Sequence, residues 1–251
     1  MRHYHSEKVL VALAALLLVG GALFLDPIAQ PLSYHLFADR RSWFGIPNTW
    51  NVLSNIPFAL VGALGLFTCR SADRAGDLLI FRTIFAGILC TAFGSAYYHW
   101  QPGNQSLVWD RLPMAVAFMG FFVYVLSDRI DRKLNRLLWP LCVLGVASVL
   151  YWRWTEVQGA GDLRWYVLVQ FGPVVLIPLI LMLVPGPAGE LKYYVGLLAC
   201  YGLAKLLEYF DQSVWEMGQV VSGHTLKHLA AALGTWFILL MLRQRQYTVS
   251  L

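Results

Sequence analysis

Two stretches of this sequence hold chemically capable residues at spacings a helix can use. Near the C-terminal end, SGHTLKHLA (Ser222 to Ala230) sets His224 and His228 four apart. On a helix, residues four apart lie one turn from each other on a shared face, so the pair offers two imidazoles to one metal ion. Earlier, GSAYYHWQPG places Ser95 and His99 at the same spacing, and WDRLPM follows with Asp110. The HxxxH pair alone is a weak signal, because a membrane helix also turns histidines toward interfacial water. A third imidazole changes the chemistry. Three neutral imidazoles leave one position of a tetrahedral zinc ion open for water, the arrangement of a hydrolytic site.

Whether these residues can meet depends on the elements that carry them. The chain has 251 residues, 58% of them hydrophobic and 13% charged, with mean hydropathy +0.58, a balance that excludes an ordinary soluble domain. The formal net charge is +5, but the basic residues stand singly between apolar runs, which argues against a nucleic-acid partner. Spanning a bilayer takes roughly 20 apolar residues as helix. Eight runs approach that length: Val9 to Leu25, Trp50 to Cys69, Leu78 to Tyr98, Leu112 to Leu126, Leu137 to Trp152, Trp165 to Val184, Tyr193 to Phe210 and Val221 to Leu242. No ten-residue alternation of a membrane barrel is present, so the expected fold is an all-α polytopic membrane protein. It has a seven-helix core and an additional N-terminal transmembrane helix.

Four runs separate the end of the third from the start of the eighth. By parity, His99, His224 and His228 therefore share a side of the membrane with Ser95 and Asp110. Arg2, Lys8, Arg70, Arg74, Arg129, Arg132, Lys133, Arg136, Lys192, Arg243 and Arg245 fall on one side; Arg40, Arg41, Arg111, Arg153 and Arg164 fall on the other. The richer side faces the cytoplasm. Both termini are thus expected in the cytoplasm, with the histidines near the extracytoplasmic face. Short loops and the lack of a large soluble tail lean toward a bacterial inner membrane.

Arg2 and Lys8 precede the first run as they would in a signal peptide, but Asp26-Pro27 follows without a small-x-small cleavage site, so a retained anchor is expected. The proline-bearing connection 26–49 sets this helix apart. Residues 1–48 read as tail, extra helix and loop, and 49–251 as the membrane domain.

Other metal chemistries fit poorly. A di-iron desaturase uses about eight histidines in boxes, and the chain has six in all. Cys69, Cys90, Cys142 and Cys200 all lie in or beside apolar runs and read as small core residues. His3, His5 and His35 read as solvated. Lys227 is expected to snorkel to the interface, Ser222 to cap the last helix, and Trp100, Trp109, Trp152, Trp154 and Trp165 to form an interfacial belt. Glu208 and Asp211 close the seventh run, placed either to recognise a headgroup or to orient Arg111 or Lys205.

At Ser95 with His99, Asp110, and His224 with His228, the sequence resembles the CREST superfamily of seven-helix membrane hydrolases. That superfamily includes the alkaline ceramidases and the adiponectin-receptor-like PAQR proteins. TWNVLSNIPF, Thr49 to Phe58, is similar to the N-x-x-S-N segment of alkaline ceramidases and favours that branch. The resemblance implies a zinc-dependent amidase that cleaves ceramide or a related N-acyl membrane lipid into fatty acid and amine. The ligands would be His99, His224 and His228, and zinc-bound water would be the nucleophile. Asp110 would shuttle the proton, its plain alternative being an N-cap. Ser95 would donate to the oxyanion, its plain alternative being a helix-helix hydrogen bond. Those ceramidases also hold calcium on acidic residues ahead of the first core helix. Here Asp39 stands without an acidic ladder and Asn48 replaces an expected glutamate, which leaves a calcium cofactor open. The same metal core used structurally would make a PAQR-like lipid receptor. An intramembrane serine hydrolase fits less well, since no G-x-S-G pattern occurs.

Overall fold

The computed structural model describes residues 2–69, 75–187 and 189–249, with the side chains of 2–5, 75, 76 and 247–249 left out. Arg70 and Arg74, counted above toward orientation, lie outside the described residues. The described chain is helical apart from its connections and one isolated bridge between Trp43 and Ile46. Helices pair every backbone group within their own segment, as hydrocarbon requires. In chain order they are α1 (Arg2–Phe24), α2 (Thr49–Leu53), α3 (Ile56–Thr68), α4 (Ala75–Trp100), α5 (Asn104–Arg129), α6 (Leu138–Val157), α7 (Arg164–Leu183), α8 (Leu191–Tyr209), α9 (Asp211–Glu216) and α10 (Gly223–Val249).

Among the described residues, seven segments are long and apolar enough to cross a membrane, one of them near the N-terminus. The protein is therefore an all-helical, multi-pass integral membrane protein. The eighth expected run, α8, has 19 residues but differs from the seven in carrying Lys192, Lys205 and Glu208.

Two runs depart from their expected form. Trp50 to Cys69 is one apolar stretch in sequence but two helices in space, broken at Ser54 and Asn55. Both side chains turn back onto the Asn51 carbonyl, Ser54 Oγ at 3.1 Å and Asn55 Nδ2 at 2.8 Å. Such local bonds compete with the helix ladder, and Pro57 at the start of α3 supplies no donor to continue it. The run at Leu112 extends back to Asn104, because its first two turns are too polar for hydropathy to register.

Helix contacts divide the chain into two compact units, 1–30 with 74–84 and 115–188, and 31–73 with 85–114 and 189–251. In the first, α1 and α6 both pack on α7. The segment after α1 is fastened by Gln30 N donating to Glu156 Oε1 at 2.6 Å and Leu163 N donating to the Ile28 carbonyl at 2.8 Å. Arg164 forks onto both oxygens of Asp162, at 2.9 and 2.8 Å, and this holds the Asp162 carboxyl below the usual carboxylate range. Trp152 is not an interfacial residue: it is fully buried and donates Nε1 to Glu156 at 3.2 Å. Trp100, Trp109 and Trp154 are exposed, as a belt requires. Of the cysteines, Cys69 and Cys142 are buried, Cys200 is half-buried, and Cys90 is exposed rather than in the core.

In the second unit α10 packs most extensively on α8, and also on α3, α9 and α2. Ser95, His99, Asp110, His224 and His228 all belong to this unit.

Candidate metal centre

The last turns of α4 carry Ser95 and His99, and the first turns of α10 carry His224 and His228. Their imidazoles converge. His99 Nε2 lies 3.2 Å from His228 Nε2 and 3.4 Å from His224 Nε2, and one ligand nitrogen from each of the three falls within 4.8 Å of the others. Nitrogens bound tetrahedrally at the usual 2.0–2.1 Å from zinc stand about 3.3 Å apart. Two of the three separations are already at that spacing. All three residues are buried, at 1, 4 and 4% exposure, so the nitrogens face one another and not water.

Ser54 Oγ lies 2.7 Å from His228 Nδ1 and 3.1 Å from the Asn51 carbonyl oxygen. A hydroxyl has one proton. With an ion on Nε2 the ring proton sits on Nδ1, so Ser54 would accept from Nδ1–H and give its own proton to the Asn51 carbonyl. Nε2 is left with its lone pair turned into the cluster, the arrangement that outer partners of metal-binding histidines enforce. The N-x-x-S-N stretch thus contributes a site residue, Ser54, which its sequence pattern did not reveal. Asn48, in a left-handed conformation, donates Nδ2 to the His99 carbonyl at 2.8 Å. His99 Nδ1 is buried without a partner among the described residues.

The start of α10 is pinned from several directions. Ser222 Oγ accepts from Thr225 N at 3.2 Å, the expected cap, and Asp211 Oδ1 accepts from His224 N at 2.7 Å. Asp211 therefore caps α10. Thr225 Oγ1 donates to Asn51 Oδ1 at 2.8 Å. Gly223 permits the approach, since a Cβ there would run into the Leu207 carbonyl. Phe37, from the loop before α2, covers the cluster with ring centroids 4.6 Å from His99 and 4.7 Å from His224.

Asp110 lies in the second turn of α5, too far into the helix to cap it. Ser95, on α4, is itself buried. Gly94 brings α4 and α5 together here, because a Cβ would strike the Trp109 carbonyl.

Lys227 does not snorkel. Its Nζ lies 2.7 Å from Glu208 Oε1 and 3.2 Å from His224 Nε2. Glu208 accepts from Lys205 at 2.6 Å on its other oxygen and from Tyr34 OH at 3.3 Å. Arg111 stands over the Tyr34 ring, 5.8 Å from its centroid. His35 is not free in solvent either: Nδ1 is 2.9 Å from Tyr98 OH, and Nε2 is 2.9 Å from Asn104 Oδ1. Asp39, the one acidic residue between Tyr34 and Asn48, is taken up by Arg41 at 2.9 and 2.7 Å.

A family model described as Ceramidase matches residues 45–180. No curated protein and no solved structure matches the chain. The matched segment holds Asn51, Ser54, Ser95, His99 and Asp110. His224 and His228 lie beyond it and join those residues only through the fold. With the match covering more than half of the 251 residues, and His99 of the buried three-histidine cluster inside it, the chain belongs to the ceramidase family.

Proposed function

We propose that this protein is a zinc-dependent amide hydrolase of the membrane, which cleaves ceramide or a related N-acyl lipid into a fatty acid and an amine. The observation that carries the reading is the set of three buried imidazole nitrogens at 3.2 and 3.4 Å, with Ser54 Oγ 2.7 Å from the outer nitrogen of His228. His99, His224 and His228 would hold the ion. Bound there, zinc supplies a Lewis acid that brings the pKa of water toward neutrality and polarises a carbonyl.

The chain's own groups handle the protons. Asp110 accepts a proton as water adds to the amide carbon, and returns it to nitrogen as the C–N bond breaks. One water is consumed, and one acid and one amine are released. Ser95 would donate to that carboxylate and keep it turned to the reaction. Phe37 and the burial of the rings exclude bulk water, which strengthens every charge interaction inside. The charge distribution supports cytoplasmic termini and a site on the extracytoplasmic side, where an acyl lipid presents its amide at headgroup level.

The decisive experiment measures zinc content and fatty-acid release together, on purified protein with ceramide and a panel of N-acyl lipids. Wild type should carry one zinc per chain and release fatty acid, and His224→Ala should lose both. Zinc without turnover on any N-acyl lipid would point to a structural metal and a receptor role. Turnover that survives zinc removal would end the metal reading.

A further inference from the structure

The amide hydrolase reading, on which this inference rests, requires a donor for the negative charge that develops on the carbonyl oxygen. A donor aimed at such an oxygen contributes about 10²–10³ in rate. Ser95 is the residue the sequence offers for it, with a single neutral hydroxyl.

Another donor stands at the cluster. Lys227 Nζ lies 3.2 Å from His224 Nε2, and its side chain is only 19% exposed. Glu208 tethers it at 2.7 Å. Lys205 on α8 already holds the other oxygen of Glu208 at 2.6 Å, so that carboxylate has a structural partner without Lys227. An ammonium has three protons; Glu208 takes one, and a ligating Nε2 has no lone pair left to accept another.

We infer that Lys227 is a catalytic residue that stabilises the oxyanion of the amide carbonyl, with Glu208 as its positioning residue. Its repulsion from a dication on the imidazoles is offset once the carbonyl oxygen becomes anionic, so Lys227 favours the transition state over the bound substrate.

The test compares wild type with Lys227→Met, Lys227→Gln and Lys227→Arg, with zinc content and thermal unfolding checked for each. Two ligands are titrated by calorimetry: a long-chain phosphonamidate, tetrahedral and anionic where the carbonyl would be, and a neutral ether of equal length. Wild type should bind the anionic ligand more tightly than the ether. The uncharged variants should lose about 10²–10³ in kcat, with KM changed less than about threefold. They should lose affinity for the phosphonamidate but not for the ether, and Lys227→Arg should recover part of both losses. A purely structural pair would weaken both ligands alike. Wild-type kcat in Lys227→Met, or no preference for the anionic ligand in wild type, overturns the inference; the second readout needs no variant to fold. Failure of wild type to cleave any N-acyl lipid is a separate result, and it overturns the function itself.

Discussion

Ser54 is the residue whose removal reads the metal centre most directly. Its hydroxyl meets Nδ1 of His228 and the Asn51 carbonyl, so Ser54→Ala leaves all three ligands in place and frees one ring. Loss of such an outer partner typically costs 10–100-fold in metal affinity, and about that loss is expected here from zinc competition with a chelator. Unchanged affinity would mean that the tautomer is set elsewhere. Asp110→Asn separates proton transfer from metal binding. With zinc retained, kcat should fall by about 10²–10⁴. Loss of zinc instead would make Asp110 a ligand or a support for one.

At the scale of elements, two close approaches assemble the site. Gly94 lets α4 meet α5 at Trp109, and Gly223 lets α10 meet the end of α8. A methyl at Gly94 must push the helices apart, at a cost of about 1–3 kcal/mol from overpacking. Gly94→Ala should therefore lower the unfolding temperature in detergent. It should also reduce activity more than stability, because the displaced residue is the neighbour of Ser95. Equal melting and activity would show that the helices have room to spare. The connection between α6 and α7 carries a pH dependence of its own. Arg164 depresses the Asp162 pKa, so the stabilisation is complete above the ordinary aspartate value of about 3.9. It is lost as pH falls through the lower folded value. Melting curves taken from pH 7 down to pH 3 should show a steeper acid loss in wild type than in Asp162→Asn, which has no carboxylate to protonate.

For the whole molecule, topology decides whether the reaction faces outward. Met217, on the connection between α9 and α10, is 87% exposed. Lys133 lies in the short 3-10 helix Arg132–Leu137 between α5 and α6. A membrane-impermeant maleimide should label Met217→Cys in intact cells, and Lys133→Cys only after the membrane is opened. The reverse pattern would turn the charge argument around and place the site in the cytoplasm.

Much of this was legible in one dimension. Apolar length announces helices because hydrocarbon leaves a backbone no other way to satisfy its polar groups, and four-residue spacing puts Ser95 with His99, and His224 with His228, on shared faces whatever their neighbours do. Parity brought α4 and α10 to one side. Hydropathy, however, averages over a window. It therefore missed the break at Ser54, the polar opening turns of α5 that carry Asp110 past any capping position, and the burial of Trp152. It also could not say where a long side chain points. Lys227 looks like a snorkelling lysine until Glu208, 19 positions earlier on another helix, is seen to hold it beside His224. The kinds of residue and their spacing along each helix were decided locally. Which nitrogens face the cluster and where the ammonium rests were decided by partners far apart in the chain, which only packing brings within hydrogen-bonding range.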